Sequence, residues 1–179
     1  MLKVLFLDRD GIINIDKGYL YKSEDIELVD GIVDLLSYAA KCGFQFIVVT
    51  NQAGIAKELY SHDDVDKLHK FMSEMLVEKG VDILDFFYCP HHPEFSGECK
   101  CRKPEPGMLL QAAEKYEINF SKSIMIGDKQ SDVQAGKNAG VDKCILVASQ
   151  YTDKSVPEAD LFANDLFEAL EFLKAYCED

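Results

Sequence analysis

The 179-residue sequence contains no tryptophan, few basic residues and no long apolar run. No stretch approaches the roughly 20 apolar residues that a helix needs to cross a bilayer, so no membrane partner is expected. The apolar start of the chain reaches Asp8 within a few residues and has no small-residue cleavage site, unlike a signal peptide. We therefore expect a cytoplasmic protein.

Basic residues are scarce relative to acidic ones: 19 Lys and Arg face 32 Asp and Glu, which gives a net charge of −13. A protein that grips a nucleic-acid backbone usually presents a basic face, so nucleic acid is not an expected partner. An acidic protein that binds phosphate must concentrate its few cations at the site. We expect a small phosphorylated ligand and a monomeric protein.

Short apolar runs alternate with segments of helical spacing along the whole chain. Strands are predicted at 3–7, 44–49, 83–88, 123–126 and 144–147. Helices are predicted between Gly31 and Gly43, between Ser61 and Gly80, from Pro106 to Tyr116, and over 131–139 and 166–176. This alternation predicts a single Rossmann-like α/β domain over 1–179, with a parallel sheet covered by helices on both faces. Only 11–30 and 89–101 could cover a site, so we expect no large cap domain and an open site.

Polar residues follow four of the five predicted strands. In order, these are Asp8, Arg9, Asp10 and Gly11; Thr50 to Gly54; a Cys/His loop leading into Arg102 and Lys103; and Gly127, Asp128 and Lys129, with Asp132 beyond. Ligands of parallel sheets bind at the edge where the strands end. A single aspartate after a strand belongs to a turn or caps a helix as often as it binds a ligand. Four strand ends with polar residues together indicate a ligand site.

These residues suit phosphoryl transfer. Asp8 and Asp10, with Asp128 arriving from another strand, form a hard oxygen site suited to Mg²⁺. A carboxylate beside a metal and a phosphate can attack phosphorus, while a second one protonates the leaving oxygen and activates water. The hydroxyl and N–H groups of 50–53, with the ammonium group of Lys103, would stabilise the transferring phosphoryl group.

Four short segments resemble, in order, the motifs of the haloacid dehalogenase (HAD) superfamily: 8–11, 50–52, 103–104 and 127–132. The resemblance implies that Asp8 is the nucleophile and Asp10 the acid–base, and that Thr50 and Lys103 stabilise the phosphoryl group. It also implies that Asp128, Asp8 and the backbone carbonyl of Asp10 hold Mg²⁺. An aspartate two residues after the nucleophile marks the phosphatases and mutases of this superfamily.

Asp132 has three alternative roles: it could hold Lys129, hold a magnesium-bound water, or cap the helix that it begins. The histidines His62 and His69 are expected on the exposed face of a helix, with no chemical role.

Three of the six cysteines cluster in the loop 89–101. In a cytoplasmic protein such clustering favours a metal over disulfides, and three thiolates with one imidazole suit structural zinc. In an extended chain, residues i and i+2 point to the same side, which turns His92 away and leaves it as the alternative ligand. Zinc would position Arg102 and Lys103 for substrate. The expected ligands are Cys89, His91, Cys99 and Cys101.

The Cys/His loop is similar to that of the group containing histidinol-phosphate phosphatases and D-glycero-D-manno-heptose 1,7-bisphosphate 7-phosphatases. Arg102 and the segment after the first motif favour the heptose family, which implies a phosphorylated sugar substrate from lipopolysaccharide precursor synthesis. A second cation beside Lys103 also suits a second phosphate, whereas histidinol phosphate carries its own ammonium group. The segment residues are Asn14, Asp16, Lys17, Gly18 and Tyr19, and further substrate contacts are expected from Arg9, Asn51, Gln52, Ala53 and Lys129.

Other functions are open at this point. The nearest is a phosphatase for histidinol phosphate or another sugar phosphate. A DNA 3′-phosphatase is disfavoured by the charge, and a phosphomutase by the lack of room for a large cap. A zinc-stabilised binding module without catalytic activity is disfavoured because all the acidic motif positions are intact.

Overall fold

The computed structural model describes residues 1–178 and contains six strands and six α-helices in that range. The strands are β1 (Val4–Leu7), β2 (Gln45–Asn51), β3 (Asp85–Cys89), β4 (Ile124–Gly127), β5 (Lys143–Val147) and β6 (Leu161–Ala163). The helices are α1 (Ile32–Lys41), α2 (His62–Glu78), α3 (Pro93–Ser96), α4 (Gly107–Tyr116), α5 (Gln130–Ala139) and α6 (Leu166–Glu178).

All neighbouring strands are parallel, and their order in the sheet is β3-β2-β1-β4-β5-β6. Side chains of a strand alternate between the two faces. Leu5 and Leu7 of β1 accordingly pack into one apolar core with α1, α2 and α6, whereas Val4 and Phe6 pack into a second core with α4 and α5. Both faces of the sheet are therefore covered, which confirms the predicted α/β architecture.

The position of β1 in the sheet determines where a ligand can bind. From β1 the chain moves through β2 to the edge strand β3, and then returns to the other side of β1 as β4. Connections that leave two adjacent parallel strands in opposite directions open a crevice at their carboxyl ends. Asp8 and Asp128 directly follow β1 and β4, so both lie at this crevice.

The predicted elements correspond to observed ones with ends shifted by a few residues, and three details differ. The three-residue strand β6 and the short helix α3 were not predicted. Pro106 precedes α4 as its N-cap rather than forming its first turn. His69 of α2 is buried, so the expectation of an exposed position was wrong. Among residues 1–178, no helix has the length and apolar character required to cross a membrane.

Candidate active site

Three carboxylates meet at the crevice between β1 and β4. Asp8 follows β1, Asp128 follows β4, and Asp132 lies in the first turn of α5. Each offers an oxygen within 4.8 Å of the other two, and all three residues are buried. Burying carboxylates is costly unless cations or hydrogen-bond donors compensate them. The contacts of these three groups therefore indicate what the site can hold.

The ammonium group of Lys103 compensates two of the carboxylates. Its Nζ lies 2.9 Å from Asp8 Oδ1 and 2.6 Å from Asp132 Oδ1, and it donates to Val49 O at 2.8 Å. Although burial disfavours the charged form, the two carboxylates raise the pKa of Lys103 above its usual value. Lys103 is therefore a permanent positive charge beside Asp8.

Asp132 has two structural tasks. One oxygen contacts Lys103, and the other accepts hydrogen bonds from the backbone N–H groups of Asp128 and Lys129 at 3.1 and 3.0 Å. Of the three roles considered for it, the structure shows the helix cap, and it adds a contact with the Lys103 ammonium group. Gly127 is required beside it, because a Cβ at that position would overlap the Asp132 carboxylate.

The Asp128 carboxylate has no protein partner among residues 1–178: both oxygens are buried and accept no hydrogen bond. Burial, then the nearby Asp132 charge, raises the pKa of Asp128 to about 6, and the same two causes lead in raising the pKa of Asp8 to about 8. Negative charge thus exceeds positive charge here, and unsatisfied carboxylate oxygens are the ligands that divalent cations prefer. The residues present therefore fit a Mg²⁺ ion.

Asp10 is held in place by donors on several sides. The Arg9 guanidinium contacts both of its carboxylate oxygens at 3.1 Å, and Asn14 and Gln52 donate to it at 3.0 and 3.2 Å. Burial acts to raise the pKa of Asp10, but the Arg9 charge and these hydrogen bonds hold it below the ordinary value. Asp10 is therefore a carboxylate in this arrangement, and it lines the adjoining cavity.

The loops that follow β2 and β3 are fastened to each other. Asn51 accepts a hydrogen bond from the backbone N–H of Lys103 at 3.0 Å and donates to its carbonyl at 3.3 Å. Thr50 Oγ1 accepts from Gln52 Nε2 at 2.9 Å. These contacts frame a small cavity of about 30 Å³ above the carboxylates, lined by Asp8, Asp10, Thr50, Asn51, Lys103, Lys129, Ser131 and Asp132.

A larger, open cavity of about 480 Å³ shares several of these residues. Eight of the ten predicted substrate contacts line it: Asp16, Gly18, Tyr19, Asn51, Gln52, Ala53, Arg102 and Lys129. The other two predicted contacts, Arg9 and Lys17, do not line it. Arg9 is 0% exposed and bonds to protein groups beneath Asp10, and Lys17 pairs with Glu27 at 3.3 Å instead of lining the cavity.

Several residues of this cavity were not anticipated from the sequence, namely Lys57, Tyr60, His92, Ser131 and Tyr151. Lys57 Nζ donates to the Tyr19 hydroxyl at 2.5 Å and lies 5.5 Å from the centroid of the Phe95 ring. The polar segment Ser149 to Tyr151 follows β5, so the rule applied to the other strand ends could have identified Tyr151.

The Cys/His loop brings its four predicted ligands together. Ligand atoms of Cys89, His91, Cys99 and Cys101 all lie within 4.8 Å of one another, so the cluster could hold a metal ion. His92 lies outside the cluster, and its Nδ1 accepts from Glu94 N at 3.2 Å. Arg102 is tied to the cluster, since its backbone N–H donates to Cys99 Sγ at 3.4 Å and its Nη1 to His91 O at 3.2 Å.

Comparison with known proteins agrees with this geometry. A family model described as HAD-hydrolase-like matches residues 100–169, and relatives match nearly the whole chain. The chain therefore belongs to the HAD-like phosphatases and is a phosphoric monoester hydrolase.

Two relatives illustrate the match in sequence. The D-glycero-alpha-D-manno-heptose-1,7-bisphosphate 7-phosphatase of Photorhabdus laumondii is 44% identical over 93% of both chains. The D-glycero-beta-D-manno-heptose-1,7-bisphosphate 7-phosphatase of Haemophilus influenzae is 44% identical over 82% of both chains.

A solved structure extends the match to three dimensions. The D,D-heptose 1,7-bisphosphate phosphatase from B. bronchiseptica, complexed with magnesium and phosphate, superposes with a TM-score of 0.84 at 28% identity. That alignment covers 98% of this chain and 99% of the other.

The buried contacts of Asp132 generate a stability prediction. Asp132→Ala removes one partner of a buried ion pair and leaves two backbone N–H groups at the start of α5 without their acceptor. We expect the free energy of unfolding in urea to fall by about 2 kcal/mol, because the loss of the acceptor for two N–H groups outweighs the relief of the repulsion that Asp132 exerts on Asp8 and Asp128. Asp63→Ala is the matched control, because Asp63 pairs with Lys67 at an exposed site and should contribute far less. Equal losses in the two variants would contradict this account.

Proposed function

We propose that this protein is a Mg²⁺-dependent phosphatase that hydrolyses the C7 phosphate of D-glycero-D-manno-heptose 1,7-bisphosphate through an aspartyl-phosphate on Asp8. The observation that carries the proposal is the buried Asp8 carboxylate, which lines the small cavity. It lies between the Lys103 ammonium group and the Asp128 carboxylate, which has no partner among residues 1–178. The names of the relatives support the substrate.

In the first step an Asp8 oxygen attacks phosphorus, and the bond from phosphorus to the C7 oxygen breaks. Asp10 enters this step in its protonated form, which the negative charge of a phosphate bound beside it favours, and it donates that proton to the leaving alkoxide. Thr50 and Lys103 stabilise charge on the phosphoryl oxygens. Asp8, Asp128 and the backbone carbonyl of Asp10 would hold Mg²⁺, which supplies positive charge that offsets the charge of Asp8 and of the phosphoryl group.

In the second step the Asp10 carboxylate takes a proton from a water molecule that attacks the aspartyl-phosphate. Inorganic phosphate leaves and the Asp8 carboxylate is restored. The hydrogen bonds of Asp10 suit this half of the reaction, because they hold it ionised at the cavity wall.

The outer part of the cavity suits the second phosphate of the substrate. Lys57 and Arg102 line the large cavity but not the small one above Asp8, so their charges are available to a remote group. An anionic phosphate is attracted there, whereas the ammonium group of histidinol phosphate is repelled. Since residues 1–178 form no large cap over the site, selectivity depends on such remote contacts.

Phosphate release tests the proposal directly. Purified protein with Mg²⁺ is offered both anomers of the heptose bisphosphate, histidinol phosphate and hexose bisphosphates, with Asp8→Asn as the blank. We expect a clear preference for a heptose bisphosphate, and no turnover by Asp8→Asn because the amide cannot act as the nucleophile. A preference for histidinol phosphate would retain the mechanism and overturn the substrate. Absence of release with all compounds would favour a binding module.

Removal of the Arg102 charge should affect substrate binding more than chemistry. In Arg102→Ala we expect KM for the bisphosphate to rise about tenfold, with kcat changing less than about twofold, because a remote phosphate is held alike in ground and transition states. Lys100→Ala is the control, since it removes an exposed cation of the same loop outside the cavity. An unchanged kcat/KM in Arg102→Ala would contradict this role.

We further propose that the Cys/His cluster binds a structural zinc ion that fixes the loop carrying Arg102. Wild-type protein should contain about one zinc per chain, and Cys101→Ala should contain far less, because structural zinc is held tightly by four protein ligands. Elemental analysis of the purified proteins measures this, with Cys42→Ala as a control outside the cluster. Zinc retained in full by Cys101→Ala would show that the cluster is not the site.

A further inference from the structure

His69 is a polar residue, but it is buried against aromatic rings. It is 6% exposed and stacks on the Phe86 ring of β3 with centroids 4.6 Å apart, while the Tyr88 ring meets it edge-on at 5.8 Å. A buried polar side chain that is kept against aromatic rings needs a hydrogen-bond partner. That partner is Arg9, whose Nη1 lies 3.2 Å from His69 Nε2.

The chemistry of Arg9 determines the state of the histidine. A guanidinium group has only donors, so His69 Nε2 must accept and the ring must be the neutral tautomer that carries its proton on Nδ1. Burial and the Arg9 charge lower the pKa of His69 to about 3, which agrees with a neutral ring. The Asp10 carboxylate acts in the opposite direction but is outweighed.

The same Arg9 guanidinium group that contacts His69 also contacts Asp10. Its Nη2 contacts both Asp10 oxygens at 3.1 Å and donates to Leu20 O at 3.0 Å, and its Nε donates to Asp10 Oδ1 at 3.3 Å. Because Arg9 is fully buried, water cannot replace a lost acceptor. Among the described residues, His69 is the acceptor found for Nη1, on a different element from the other contacts.

We propose that His69 is a positioning residue for proton transfer: it fixes Arg9, and Arg9 in turn fixes Asp10 where it can protonate the leaving oxygen. This inference rests on the proposed role of Asp10 in the phosphatase reaction. His69 is absent from the lining of the substrate cavity and faces a separate groove between α2 and β3, so it acts through Arg9 and not on the substrate.

The leaving group distinguishes this role from a general structural one. An alkyl phosphate needs a proton on its leaving oxygen, whereas p-nitrophenyl phosphate releases a stable anion and needs none. In His69→Leu, which keeps the bulk and removes the acceptor, we expect kcat/KM for the alkyl phosphate to fall about tenfold. We expect kcat/KM for p-nitrophenyl phosphate to change less than about twofold, because it reports steps only up to loss of the leaving group.

Three further variants make the test specific. His69→Gln places an amide oxygen where Nε2 was, and should restore kcat/KM for the alkyl phosphate to within about threefold of wild type. His69→Asn is polar but too short to reach Arg9, and should behave like the leucine variant; it replaces that variant if His69→Leu does not fold. Met72→Leu, one turn along the same buried face of α2, should leave both substrates unaffected.

The outcomes separate this inference from the proposed function. The alkyl phosphate in these assays is whichever compound of the phosphate-release panel the wild-type protein hydrolyses fastest. Equal losses on both substrates, no loss on either, or failure of His69→Gln to recover activity would each overturn the role of His69 while the phosphatase assignment stands. Wild-type protein that hydrolyses neither substrate would overturn the proposed function, and the inference with it.

Discussion

The arrangement of this site depends on the burial of three carboxylates beside one ammonium group, that of Lys103. Since charges buried in this way must be matched by close contacts, the loops that supply them cannot move independently. Lys103 is held by Asp8, by Asp132 and by Val49 O, while Asn51 fastens its backbone. Loops from four strands are thereby joined at one point, and the excess negative charge there is what a divalent cation would offset.

The topology explains why residues so distant in the chain can share one charge network. Asp8 and Asp128 are separated by more than one hundred residues, but β1 and β4 are neighbours, and both carboxylates follow their strands at the same edge. The crevice is open because the chain leaves these strands in opposite directions. The Cys/His loop follows β3, on the other side of β1. Its Cys99 and His91 accept hydrogen bonds from Arg102 and so fix Arg102 beside Lys103.

Much of the fold and the positions of most site residues could be predicted from the sequence, because strands, helices and strand ends leave local patterns. Contacts that depend on how distant segments pack together could not be predicted from the sequence. The strand β6 has three residues and no clear periodicity, so it forms only because β5 offers an edge. His69 was expected on the exposed face of a helix, whereas it is buried and contacts Arg9, which is distant in the sequence. Arg9 was expected to contact substrate, yet its side chain is fully buried and contacts the Asp10 carboxylate.

The cations gathered in the cavity have a consequence for how quickly a substrate arrives. The protein as a whole carries a charge of −13, so a doubly phosphorylated molecule is repelled at long range and attracted only near Lys57, Arg102 and Lys129. Counter-ions at physiological concentration screen exposed charges beyond about 8 Å, and they therefore weaken the long-range repulsion more than the short-range attraction. We therefore expect a multiply charged anion to reach the cavity faster at cell-like ionic strength than in dilute buffer.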